Sequence, residues 1–320
     1  MFVDSFICEE HSIWSGLTAP EILSKAILLP IKIQNDIIQW SERLFSIYKI
    51  LSYKKPIFEV LNIFNKNKYQ VKFELPYCPF EKDMLIFGTI LPFNNYWYWS
   101  GAQKNLGYYD KIGNERIQKL KEDFIKRCPS WTYRTFNELL NKAIKSLEKT
   151  HSHFYRVYGS DFVLLDNADD IKEVFIKMNK LRYEELPAEE QEEYKDKINL
   201  DGSNQFNGIP DSVKDTYKGT GVFFNKEEGI EIMLDFYNIL NGLKKQGENL
   251  TEEESQSIRN FIRSDIISPA FVKYFTKDYG VTSIQRSFFL NPEDDNLDFL
   301  LHKFKGRFFK KRYPNIRLID

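Results

Sequence analysis

The sequence predicts an α+β protein: an antiparallel meander of four strands over about residues 57–101, packed on helices and followed by a larger, mostly helical part. Three observations carry that prediction. The apolar spacing switches from about 3.6 residues to two near Pro56. In the stretch 84–101, Pro92-Phe93-Asn94-Asn95 separates an aliphatic run from four consecutive aromatic residues. From Gly113 onward the chain returns to helical stripes with start and stop signals.

Before the switch, Thr18 with Glu21 fits a capping box for a short helix whose inner face is Leu23, Ala26 and Ile27, and Pro30 stops it. Ile37, Trp40, Leu44, Ile47 and Leu51 recur at helical spacing, predicting a second helix that ends by Lys55, ahead of Pro56. Strands 57–64 and 69–75 then flank Asn65-Lys66-Asn67-Lys68; in the second, Tyr69, Val71, Phe73 and Leu75 alternate with Gln70, Lys72 and Glu74. The 84–101 stretch supplies the other hairpin, its two Asn able to take the positive φ of a tight turn. Alternation sets Tyr96 and Tyr98 on one face and Trp97 and Trp99 on the other.

Beyond the meander, Ile117, Leu120 and Phe124 mark a short helix broken at Pro129. Phe136, Leu140, Ala143, Leu147, His151, Phe154 and Tyr158 mark a long one, ended by Gly159. Residues 161–166 (DFVLLD) read as a short strand, and Asn167 caps a helix with Ile171, Val174, Phe175, Met178 and Leu181 inward. The acidic, turn-rich stretch 184–220 is a loop excursion with at most one short helix. Asn225 with Glu228 opens a helix carrying Ile230, Met233, Leu234, Tyr237 and Leu240; Thr251 with Glu254 opens the next, Ser268-Pro269 another. Asn291-Pro292 starts the last, with Leu297, Leu300, Leu301, Phe304 and Phe308 on one side. The expected organisation is 1–105, helix plus meander, and 106–320, mostly helical, as two domains or one continuous body.

Composition restricts the function classes. With 42% hydrophobic and 28% charged residues the chain is globular, and its longest uncharged window, Met84 to Gln103, is interrupted by Pro92, Asn94, Asn95 and Ser100, so no transmembrane helix is expected. Three scattered cysteines, Cys8, Cys78 and Cys128, argue for a reducing compartment and against a disulfide framework or zinc knuckle. No Lys or Arg precedes Lys25, so no secretory signal is read and a cytoplasmic location is expected. Charge is uneven: residues 101–150 carry 11 Lys/Arg against 6 Asp/Glu, residues 151–300 carry 17 against 29, and residues 301–320 carry 7 against 1. That asymmetry suits a polyanion partner or complementarity within the chain.

Catalytic signatures are weak. His151 and His153 are two apart on a predicted helix, where they point about 200° away from each other and cannot share a metal; His151 is expected to pack and His153 to face solvent. The 161–166 strand ends in Asp166, as magnesium-binding strands of nucleotide hydrolases do, but no GxxxxGK[ST] loop accompanies it. Asp169, Asp170 and Glu173 sit early in a helix, where the dipole favours them. No cofactor and no metal are therefore expected. The reading is a non-enzymatic intracellular interaction protein that binds a protein or polyanionic partner, nucleic acid included, and no membrane. Its binding residues are Tyr96, Trp97, Tyr98 and Trp99 of the aromatic hairpin and Lys303, Arg307, Lys310 and Lys311 of a basic C-terminal helix, where cations alternate with aromatic rings. The competing reading is a metal-dependent phosphodiesterase or nuclease using Asp161, Asp166 and a histidine.

Overall fold

The computed structural model describes residues 2–12, 14–74, 79–197, 218–291, 293–294 and 296–314. The fold is mixed α+β, as the sequence predicts. It divides into two compact units, the first running to Lys142 and the second from Ala143 to Arg312. That seam lies later than 105/106, because helices after the sheet pack onto its outer side and belong with it.

Three short helices open the first unit: α1 (Phe2–Glu9), α2 (Ala19–Ala26) and α3 (Ile31–Ile38). The Thr18–Glu21 capping interaction forms, with the Thr18 amide and hydroxyl donating to Glu21 Oε2 at 2.8 and 2.9 Å. All four predicted strands are present as β2 (Ile57–Asn62), β3 (Lys68–Lys72), β4 (Met84–Phe93) and β5 (Tyr96–Tyr108), and a fifth precedes them, β1 (Leu44–Lys54). The helix expected over Ile37 to Lys55 is thus corrected: helix ends at Ile38 and a 3-10 turn, Gln39–Glu42, leads into β1. The physical reason is double burial. Tyr48 and Ile50 face the barrel interior while Phe45 and Ile47 face covering helices, and the polar residues Ser46, Lys49 and Ser52 fall three apart, so no strand period shows. The expected β5 turn is as read, with Asn94 at φ 50° and Asn95 at φ 65°.

The strands close into a barrel in the order β1-β2-β3-β5-β4. All neighbours are antiparallel except β3 and β5, which pair in parallel through Val71↔Trp97 and Lys72↔Tyr98. The four predicted strands therefore do not lie in meander order: β3 stands beside β5 and β4 beside β1, which closes a five-stranded Greek-key barrel. Its interior is filled by Tyr48, Phe58, Val60, Val71, Ile86 and Ile90. On the outer side of β1 and β4, Ile117 and Phe124 of α5 (Asn114–Arg127), which follows the one-turn α4 (Tyr109–Ile112), and Trp131 of α6 (Pro129–Thr135) cover Phe45, Ile47 and Leu85.

The 22-residue α7 (Asn137–Tyr158) ends at Gly159, φ 69°, where the sequence places its stop. In the second unit a three-stranded antiparallel sheet, β6 (Phe162–Leu165), β7 (Thr220–Asn225) and β8 (Gly229–Leu234), is ordered β6-β7-β8. Helices α8 (Ile171–Glu184) and α9 (Ala188–Lys197) lie between β6 and β7, and the remainder of the predicted acidic excursion falls outside the described residues. The helix expected after Asn225 is corrected over its first half. Asn225 Oδ1 accepts from the Glu227 amide at 2.9 Å and makes a hairpin turn, so Ile230 to Leu234 form β8, and helix begins at α10 (Phe236–Lys244).

α11 (Glu252–Arg263) and α12 (Pro269–Tyr279) start at the predicted caps: Thr251 Oγ accepts from the Glu254 amide and Ser268 Oγ from the Phe271 amide, both at 3.2 Å. With α13 (Thr282–Ser287) and α14 (Leu297–Lys305) they enclose a core centred on Phe271, whose ring stacks on Phe223 and Phe236 at 4.8 and 5.6 Å. The α11–α12 loop is fastened by two buried charges. Lys305 Nζ donates to the carbonyls of Phe261, Ser264 and Ile267 at 3.2, 2.8 and 2.7 Å, capping the end of α11. Glu231, buried on β8, accepts from the Ser268 amide and from Asn225 Nδ2, each at 2.8 Å.

Candidate functional site

The parallel β3–β5 pairing builds a residue row that no single hairpin contains. Lys54 pairs with Ile57, Ile57 with Lys72, Lys72 with Tyr98, and Tyr98 with Leu91, so one row crosses all five strands of the barrel on its outer surface. The orientation follows from alternation: the neighbours Phe58, Val71, Trp97 and Ile90 pack into the interior. The Tyr98 ring lies 6.1 Å from Phe93, which lies 6.4 Å from Trp40, and the Lys72 ammonium stands 6.0 Å from the Tyr98 centroid. Tyr96, opposite Phe93, is on the same face. The result is a half-buried aromatic strip bordered by cations.

The aromatic quartet is therefore split. Tyr96 and Tyr98 are placed on the outer face, whereas Trp97 and Trp99 serve the interior, Trp97 against Tyr69 at 5.2 Å and Trp99 against Tyr48 and Phe80 at 5.6 and 5.7 Å. Lys68 and Lys72 extend the outer face along β3, paired with Glu59 at 3.1 Å and Glu74 at 2.6 Å. Glu74 raises the Lys72 pKa through that hydrogen bond, so the ammonium stays charged. Both pairs are solvent-accessible and weak, so a phosphate can replace either carboxylate. Between Leu44 and Tyr108 the barrel carries eight lysines against four carboxylates. Lys54, Ile57 and Lys72 escape sequence reasoning because their row depends on a pairing between distant strands; the alternating Lys68, Gln70 and Lys72 of β3 is the local trace of it.

The C-terminal cations do not form one helical stripe. Helix α14 ends at Lys305, a 3-10 turn Gly306–Phe309 follows, and Lys310 begins an extended segment. Lys303, on the helix, stands over the rings of Phe299 and Phe304 at 5.9 and 5.3 Å, and Arg307 over Phe308 at 4.8 Å. Lys310 and Lys311 lie beyond the turn. Arg312 is occupied by a bidentate pair with Glu228, and packs on Phe308 at 4.6 Å. The 3-10 turn rotates each basic residue off the line a continuous α-helix would give.

The two histidines diverge, with their environments exchanged relative to expectation. His153 is the buried one, bonded to Glu185 at 2.7 Å, and His151 is the partly exposed one, bonded to Asp161 at 2.6 Å. Asp161 and Asp166 bracket β6, five residues apart and so roughly 16 Å along an extended strand. Asp166 accepts instead from the Tyr237 hydroxyl. Among the described residues no three His, Cys, Asp or Glu side chains are grouped as metal ligands, and no helix is long and apolar enough to cross a membrane.

The arrangement defines a barrel-bearing α+β protein with an aromatic, cationic outer face. No protein-family model matches the chain, and neither a curated protein nor a solved structure resembles it at a significant level.

Proposed function

We propose that this protein is a non-enzymatic interaction protein whose barrel holds a polyanionic chain, single-stranded nucleic acid, across the outer face of β2, β3 and β5. The supporting observation is the five-strand row Lys54, Ile57, Lys72, Tyr98 and Leu91, which sets two cations among apolar and aromatic side chains. Single strands are gripped by that combination: lysines follow the phosphates and rings stack on bases, each stack contributing about 1–3 kcal/mol. Five-stranded Greek-key barrels present oligonucleotides on this side of the sheet, an architectural analogy that adds weight to the reading.

The test is fluorescence-anisotropy titration of the full chain with a labelled single-stranded oligonucleotide at several salt concentrations. Binding that weakens with salt is expected, with a logarithmic slope of about −0.7 for each phosphate neutralised. Y98A should weaken affinity about fivefold or more through lost stacking. K54E/K72E should weaken it further and flatten the salt dependence. An oligonucleotide that fails to bind, or binds equally well to all variants, would reject the nucleic-acid reading and leave a protein partner for the same face.

A further inference from the structure

The second unit contains a cleft of about 550 Å3 that lies outside the barrel and is unused by the reading above. Its volume suits a ligand of mononucleotide size. One wall is the β7–β8 turn, with Lys226, Glu227 and Glu228; another is the beginning of α12, with Ser268, Pro269 and Ala270. Lys273, Tyr274 and Lys277 follow along that helix, and Asp161, Phe308 and Phe309 are also part of the lining.

The lining carries three lysines and three carboxylates, which differ in how far each is engaged. Of its carboxylates, Asp161 is bonded to His151 and Glu228 is held bidentately by Arg312, which leaves only the exposed Glu227. Of its cations, Lys273 reaches Asp298 at 3.1 Å, while Lys226 and Lys277 have no ion-pair partner among the described residues. The rings are already fixed. Tyr274 packs on Phe223 at 5.5 Å and Phe309 stacks on His302 at 3.8 Å. A planar ring can therefore be received without ordering either side chain first.

We propose that this cleft binds a mononucleotide, its phosphate held by Lys226 and Lys277 and its base placed against Tyr274 and Phe309. Cations alone would accept any small anion, and rings alone any planar apolar molecule. Their presence in one cleft selects a ligand that joins the two. The site lies wholly in the second unit, so it stands or falls independently of the barrel face.

Isothermal titration of the full chain with AMP, GMP, CMP and UMP, with adenosine and inorganic phosphate as fragments, tests this. At least one mononucleotide should bind, with adenosine and phosphate each at least about tenfold weaker, because each fragment forfeits one half of the contacts. K226A and K277A, both at exposed positions, should each weaken the mononucleotide about tenfold while leaving the thermal midpoint in place. Four results would overturn the proposal: no heat with any mononucleotide up to about 1 mM, adenosine binding as tightly as AMP, phosphate binding as tightly as AMP, or lysine variants that bind like the wild type.

Discussion

Arg43 shows how far a single side chain can hold separate parts of the first unit together. It is 1% exposed, reaches Glu9 at 3.4 Å, and lies 4.3 Å from the Trp131 ring, whose centroid is also 4.0 Å from the Arg134 guanidinium. Arg134 reaches the same Glu9 at 2.8 Å. One carboxylate thus serves two guanidinium groups stacked on one indole. Removing it takes an ion-pair partner from a buried guanidinium, which costs more than losing an exposed pair. Glu9→Ala is expected to destabilise the protein by about 2–3 kcal/mol, less than the range of about 3–5 kcal/mol for breaking a fully buried pair because Glu9 itself is a quarter exposed. Urea denaturation checks it, and a loss below about 0.5 kcal/mol would show that solvent replaces the carboxylate. Nothing in the sequence connects positions 9, 43, 131 and 134. The histidines teach the same lesson: spacing alone shows that His151 and His153 diverge, while which of them is buried depends on Glu185 and Asp161, chosen by the fold.

Elements were legible wherever their signal was local. The Asn94-Asn95 turn, the Thr251–Glu254 box, the Ser268 cap and the Gly159 stop each rest on residues within a few positions of one another, and each stands where the sequence placed it. Misreadings arose where burial on two sides erased the period. β1 is covered inside and out and imitates a helix stripe; Met233 and Leu234 of β8 line up at helical spacing with Tyr237 and Leu240 of the helix that follows, which hides the boundary between them. Register against another element leaves equally little trace, although one glycine records it. A Cβ at Gly221 of β7 would come within 2.6 Å of the Phe236 ring, which is itself fully buried and stacked on Phe271. Gly221→Ala is therefore expected to cost about 1–3 kcal/mol by overpacking. Phe236→Leu in the same chain should recover part of that loss, since it removes the obstructing ring. Thermal midpoints of the single and double variants decide it; strictly additive losses would mean that the strand and helix can move apart freely.

For the whole molecule, the two buried charges beside the α11–α12 loop make stability depend on pH with a sign that can be worked out. Burial draws the Lys305 pKa from 10.5 down to about 7, against the pull of Glu231. In the unfolded chain the same lysine keeps its proton to about 10.5, so above pH 7 the unfolded state binds more protons and stability rises with pH. The rise is bounded at the alkaline end by other groups. Burial lifts Cys128 above 9.0 and Tyr48 well above 10.0, so the folded state there retains protons that the unfolded chain releases, and stability falls again. Chemical denaturation between about pH 7 and 9 should therefore show increasing stability in the wild type. In Lys305→Met that slope should be lost, on a lower baseline at every pH because the carbonyls of Phe261, Ser264 and Ile267 lose their shared donor. A wild-type slope that survives unchanged in Lys305→Met would assign the rise to other titrating groups, and would mean that the three carbonyls hold the ammonium charged through the whole range.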